Sequence, residues 1–171
     1  MLGEGVFARV ELVTKRTAPY AGTTYACKSY GLVRYVDARG EVWPEIDQGA
    51  LEREINIMQG CGSEENHVMQ IYGVLEEPTK VHLVLEQCDM DLLRHVAANA
   101  TCFPEKDAAV YSAQLLCAIA HIHSRSVMHR NIKLEDLLLR SSGHHATAQI
   151  CLGDFGHATA FIPGKLMKRP N

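Results

Sequence analysis

The hydrophobic pattern changes period partway along the chain, and that change limits the fold more than any single residue does. The first third reads as strands. Phe7, Val10, Leu12 and Val13 flank a glycine turn, and residues 24–30 are β-branched and aromatic enough for a further strand. Between them, residues 18–22 hold Pro19 and Gly22 and form a hairpin loop. Residues 36–49 mix glycine, proline and charge and read as a surface connection. Over 47–59 the apolar Leu51, Ile55 and Met58 recur at helical spacing, with Gly60 as the expected stop. Two apolar runs, 68–75 and 81–85, then suit an antiparallel pair. Phe103-Pro104-Glu105 opens a long helix to His123, with Val110, Leu115, Ile119 and Ile122 as its buried candidates. Short apolar segments at 137–139 and 150–152 follow, joined by a polar hairpin turn. Strands first and a helix afterwards make an α+β arrangement, jointed near residues 86–91.

Composition fits that picture. The chain has 171 residues, 47% hydrophobic and 22% charged, enough for one core-bearing domain or two small lobes. The net charge of −3 gives no electrostatic reason to expect nucleic acid or an anionic membrane. No apolar run approaches the ~20 residues of a membrane helix. No basic-then-apolar leader opens the chain, so the expected location is intracellular and cytoplasmic. The six cysteines form no C-x-x-C pair and read as free thiols in or near the core. His121/His123 and His144/His145 have no Cys/His set at zinc-finger spacing beside them and are read as structural or loop residues.

Five short stretches carry chemistry. Leu2-Gly3-Glu4-Gly5-Val6-Phe7-Ala8-Arg9-Val10 is a glycine loop between strand-like stretches, where backbone N–H groups can approach phosphate oxygens without a Cβ clash. By itself a plain hairpin explains it equally well. Tyr25-Ala26-Cys27-Lys28 puts a lysine inside a strand behind a small residue. Glu54 lies beside the apolar stripe of the 47–59 helix and calls for a cation, with Lys28 as candidate and Glu52 as rival. His129-Arg130-Asn131-Ile132-Lys133-Leu134-Glu135-Asp136 follows the long helix, and Asp154-Phe155-Gly156 follows the next hairpin. Polar clusters on loops are where chemistry is usually placed.

In this order the five stretches resemble the signature set of the eukaryotic-type protein kinase domain, over essentially the whole chain. The resemblance implies a two-lobed α+β fold. A β-rich N-lobe with one main helix covers 1–85, its first strand clipped; a hinge covers 86–91. A partial C-lobe covers 92–171 and ends in the activation segment. It implies ATP and Mg²⁺ in the cleft, with Leu2, Gly3 and Gly5 over the phosphates. Lys28 would hold the phosphates and pair with Glu54, and Asp136 and Asp154 would bind the metal. Val10, Ala26 and Leu138 would sandwich adenine, the backbone of Glu86 and Cys88 would hydrogen-bond it, and Leu85 would close the back. Lys133, two residues beyond Asn131, matches the serine/threonine branch. The implied partner is a protein substrate or a regulatory protein.

Two positions depart from the family pattern together. Asn131 stands where the family carries the catalytic Asp, and Asp136 where it carries Asn. An amide cannot accept the substrate hydroxyl's proton, and general-base catalysis is worth ~10²–10⁴-fold. Asp136 suits Mg²⁺ as a carboxylate and is the one alternative base. Ala8 replaces the third glycine, and no A-P-E motif follows Gly156. These features imply an impaired serine/threonine kinase or a fragment of one, with a pseudokinase that binds nucleotide or a partner as the alternative. An exposed apolar face on the 103–123 helix is expected, and with it poor solubility of the isolated chain.

Overall fold

The computed structural model describes residues 3–4, 8–38, 40, 42–98, 103–140 and 149–166. In chain order the elements are β1 (Gly3–Glu4), β2 (Ala8–Thr14), β3 (Thr24–Gly31), β4 (Tyr35–Val36), β5 (Val42–Trp43) and α1 (Gln48–Cys61). Next come β6 (Ile71–Glu76), β7 (Lys80–Leu85), β8 (Cys88–Asp91), α2 (Leu92–Ala98) and α3 (Glu105–Ser124). Last are β9 (Val127–Met128), β10 (Leu137–Arg140), β11 (Gln149–Leu152) and β12 (Thr159–Ala160).

Five strands form an antiparallel sheet in the order β1-β2-β3-β7-β6. In β3, Ala26, Lys28 and Tyr30 share one face because successive side chains alternate. That face meets α1, whose buried residues Leu51, Glu54, Met58 and Cys61 make one stripe at helical spacing. Glu54 thus lies within the buried stripe, not beside it. Asp47 caps the helix, its side chain accepting hydrogen bonds from the Gly49 and Ala50 N–H groups.

On the other side β10 pairs with β8 and β11, giving the order β11-β10-β8. α3 packs over β11, and its Gln114 side chain accepts a hydrogen bond from the Ile150 N–H at 2.8 Å. β9 and β12 pair, so the segment after Gly156 is tied to the one before His129. Phe155, fully buried, stands edge-on to the His129 ring at 5.0 Å.

Several expectations are corrected. Helix α1 runs through Gly60 and ends at Gly62, because the buried Cys61 is the last residue of the stripe and its carbonyl meets His121 Nε2 at 3.0 Å. Residues 36–49 are not a plain surface connection. They contribute the β4–β5 hairpin and the buried Trp43, which stacks on Tyr35 and lies beneath Arg9 and Lys80. The run at 68–75 is a strand only from Ile71; Val68 and Met69 are buried beside Leu152, with the Met69 N–H donating to its carbonyl. In α3 the buried residues are Tyr111, Ala118 and Ile122, while Val110, Leu115 and Ile119 are only half-buried. Leu116 is 65% exposed on its outer face. Among the thiols, Cys117 is exposed and Cys61 and Cys151 are buried. Cys102, His144, His145, the turn at 141–148 and the tail from 167 lie outside the described residues. No helix among the described residues is long and apolar enough to cross a membrane.

Candidate active site

A cavity of about 410 Å³ opens between the five-stranded sheet and the β8–β10–β11 sheet. Val10, Ala26, Leu85 and Leu138 line its apolar part, with Glu86 and Cys88 at one edge. Lys28, Glu54, Lys133, Asp136 and Asp154 line its polar part. Asn131 is not among the lining residues, and its neighbour Arg130 holds a positive φ of 69°. Gly3 lies in β1, opposite Val10, while Leu2 and Gly5 lie outside the described residues.

The polar part is built around Lys28. Its Nζ lies 2.9 Å from Glu54 Oε1 and 3.1 Å from Asp154 Oδ1. Helical spacing decides between the two glutamates: Glu54 is buried and Glu52 is exposed. Tyr30, two residues beyond Lys28 and on the same strand face, donates its hydroxyl to Glu54, with both carboxylate oxygens at 2.9 Å. Sequence reasoning missed Tyr30, although the two-residue strand period was the signal. Burial alone would lower the Lys28 pKa, but Tyr30, Glu54 and Asp154 outweigh it and hold the ammonium well above its usual range. Burial also opposes ionisation of Asp154, yet Lys28, the Gly156 N–H and Lys133 hold its pKa below the ordinary value.

The opposite wall is less satisfied. Asp136 is 3% exposed, and its Oδ2 has no hydrogen-bond partner among the described residues. Burial, aided by the Asp154 charge, pushes its carboxyl up to about 6. Lys133 Nζ stands 4.0 Å away and only partly offsets this. His129 Nε2 meets the Gly153 carbonyl at 2.9 Å, while its buried Nδ1 has no hydrogen-bond partner among the described residues. Burial lowers the His129 pKa, so the ring is neutral and Nε2–H is the donor. Asp154 itself sits in the left-handed region, at φ 53°, where a non-glycine residue stores strain.

Comparison with known proteins agrees with this geometry. A family model described as protein kinase domain matches residues 1–170. Death-associated protein kinase dapk-1 of Caenorhabditis elegans is 33% identical over 168 residues, 98% of this chain and 11% of that protein. Calcium-dependent protein kinase 4 of Arabidopsis thaliana is 32% identical over 168 residues, 97% of this chain and 30% of that protein. Serine/threonine-protein kinase 33 of Mus musculus is 28% identical over 161 residues, 91% of this chain and 30% of that protein. The chain belongs to the protein kinase domain family, with serine/threonine kinases among its relatives. It spans a third or less of these relatives' lengths.

Proposed function

We propose that this chain binds Mg-ATP in the cavity and is a serine/threonine protein kinase domain of impaired phosphoryl transfer. The convergence of Lys28, Glu54 and Asp154 carries the reading. In it, residues 1–85 form the N-lobe, 86–91 the hinge, and 92–171 belong to the C-lobe. The donor set fits a hard cation: Asp136 and Asp154 offer carboxylate oxygens, and the buried Asp136 Oδ2 has no partner among the described residues. When bound there, Mg²⁺ supplies neutralisation of phosphate charge. Lys28, held upright by Glu54, offers its ammonium to phosphate oxygens. Val10, Ala26 and Leu138 offer an apolar slot for a flat base, and Leu85 bounds it. The Glu86 N–H is already spent on the Gln70 carbonyl, so from Glu86 the base has only the carbonyl to meet. Gly3 and the glycine stretch around it are assigned to the phosphates. Lys133, partly exposed, offers a second cation near the transferred group.

The defect is placed at Asn131, whose amide holds no lone pair basic enough for a hydroxyl proton. Positioning and charge neutralisation remain, so slow transfer is expected rather than none. The second reading is a pseudokinase, favoured by Asn131 alone, whose partner would be a regulatory protein. Binding of a fluorescent ATP analogue with and without Mg²⁺, run beside phosphotransfer to a basic serine peptide, separates the two. Magnesium-dependent binding with slow transfer supports the first; binding without transfer selects the second; absence of binding overturns both.

A further inference from the structure

Cys88, which lines the cavity, and the buried Cys151 behind it bring their sulfurs to 3.6 Å. With a Glu86 carboxylate oxygen, these ligand atoms all fall within 4.8 Å of one another. Among the described residues it is the only cluster of three such groups. Two tetrahedral zinc–thiolate bonds of about 2.3 Å place their sulfurs about 3.8 Å apart. The observed spacing therefore already matches that of a shared tetrahedral cation to within a few tenths of an ångström.

The surroundings supply what such a site needs. Cys88 lines the cavity and gives a path of entry, while Cys151 is fully buried on β11. Arg140 holds Glu86 through Nε on Oε2 at 2.7 Å and Nη2 on Oε1 at 3.0 Å. The Gln70 N–H adds a bond to Oε1, so Oε2 keeps a free lone pair. Oriented ligands of this kind are what an outer shell provides. Two thiolates and one carboxylate carry three negative charges. A divalent cation and the Arg140 guanidinium carry three positive ones, so the buried cluster is neutral when loaded.

We propose that Cys88, Cys151 and Glu86 bind one thiophilic divalent cation of the zinc class, with its fourth position open to the cavity. Both thiols give up their protons to solvent as the cation binds. The neutral alternative is a thiol–thiol hydrogen bond and nothing more. Under the proposed nucleotide reading, a cation there would sit against the edge assigned to adenine and compete with it. That consequence rests on the nucleotide reading; the binding itself does not.

The test uses the full reduced chain, stripped with a chelator and titrated with cadmium chloride in the absence of nucleotide. The expected result is a thiolate-to-cadmium ultraviolet band that saturates at one cadmium per chain and is abolished by added chelator. Cys88→Ser should weaken it by at least the roughly 10–100-fold that loss of even an outer-shell partner costs. Cys27→Ser and Cys117→Ser should leave it unchanged. A band of undiminished affinity in Cys88→Ser, or none at one equivalent in the wild-type chain, overturns the site. A second measurement covers a variant that fails to fold. In the wild-type chain, one equivalent of zinc should protect Cys88 from alkylation by iodoacetamide, read by peptide mass mapping; equal labelling with and without zinc overturns the proposal.

Discussion

The Lys28 wall and the Asp136 wall face one cavity and treat their charges in opposite ways. On the first, folding completes the polar network: Glu54 is 4% exposed, yet it has an ammonium and a phenol as partners. On the second, Asp136 is as deeply buried but one oxygen has no partner among the described residues, and its carboxyl is pushed up to about 6. Buried polar groups left unsatisfied cost about 1–3 kcal/mol each. A protein keeps such a cost where the group has work beyond folding. The first wall is thus satisfied from within, and the second keeps an acceptor that, in the proposed reading, a metal ion would satisfy.

The change that reaches furthest lies at Asn131, two residues before Lys133 of the second wall and outside the cavity lining. Asn131→Asp restores a carboxylate where the family has one. Under the proposed kinase reading it should raise phosphotransfer by ~10²–10⁴-fold, about 3–5 kcal/mol of barrier. Single-turnover transfer to a basic serine peptide measures it. No gain would move the defect away from Asn131 and favour the pseudokinase. On the first wall, Lys28→Ala leaves Glu54 charged and buried with Tyr30 alone. Breaking a buried pair in this way costs about 3–5 kcal/mol. Urea unfolding should show that loss, and magnesium-dependent nucleotide binding should fall with it. Unchanged stability would mean that the pair is solvated and that the two walls are not distinct.

The two walls also differ in how far they could be read from residues alone. Of the first, Lys28 and Glu54 were legible as candidates, because they rest on two periods, while Glu52 stayed open as a rival and Tyr30 was missed. Lys28 and Ala26 share a strand face, and the helical repeat through Leu51 and Met58 puts Glu54 inward and Glu52 outward. The second was legible as a motif, but its strain was not: the positive φ of Arg130 and Asp154 comes from how the surrounding segments pack. Trp43 was missed because its burial depends on Tyr35, Arg9 and Lys80, brought in from other elements. Gly60 misled because a lone glycine inside a helix costs only about 1 kcal/mol, less than the burial of Cys61 contributes beyond it. Strand β8 and helix α2 fell within and just after the stretch read as a joint, where four- and seven-residue elements leave little periodicity.

Asp136→Asn sharpens the comparison through pH. The folded pKa is raised from 3.8 to about 6, so the native state favours the protonated carboxyl. Stability from this group is therefore full below about pH 4 and lost as pH rises toward 6 and beyond. A shift of this size corresponds to about 2–3 kcal/mol. Asp154, lowered instead, acts in the other direction and loses its contribution as pH falls through its folded value. The difference between wild type and Asp136→Asn isolates the first. The variant should be more stable than wild type at pH 7.5, and the gap should close by pH 4. A gap that does not change with pH would mean that Asp136 is ionised without penalty.

Tyr30→Phe is the mildest and most local probe. It keeps the ring in its buried place and removes only the hydroxyl that Glu54 accepts. Glu54 retains Lys28 at 2.9 Å, so its charge stays paired. The loss is that of one hydrogen bond to a charged group, about 1.5–3 kcal/mol, and should appear as a lower urea midpoint with an unchanged slope. Combined with Lys28→Ala, it should cost more than the sum of the two, because Glu54 would then be buried with no partner on either side. Simple additivity in that double-mutant cycle would show that the phenol and the ammonium act on Glu54 independently, and that the first wall is two separate contacts rather than one network.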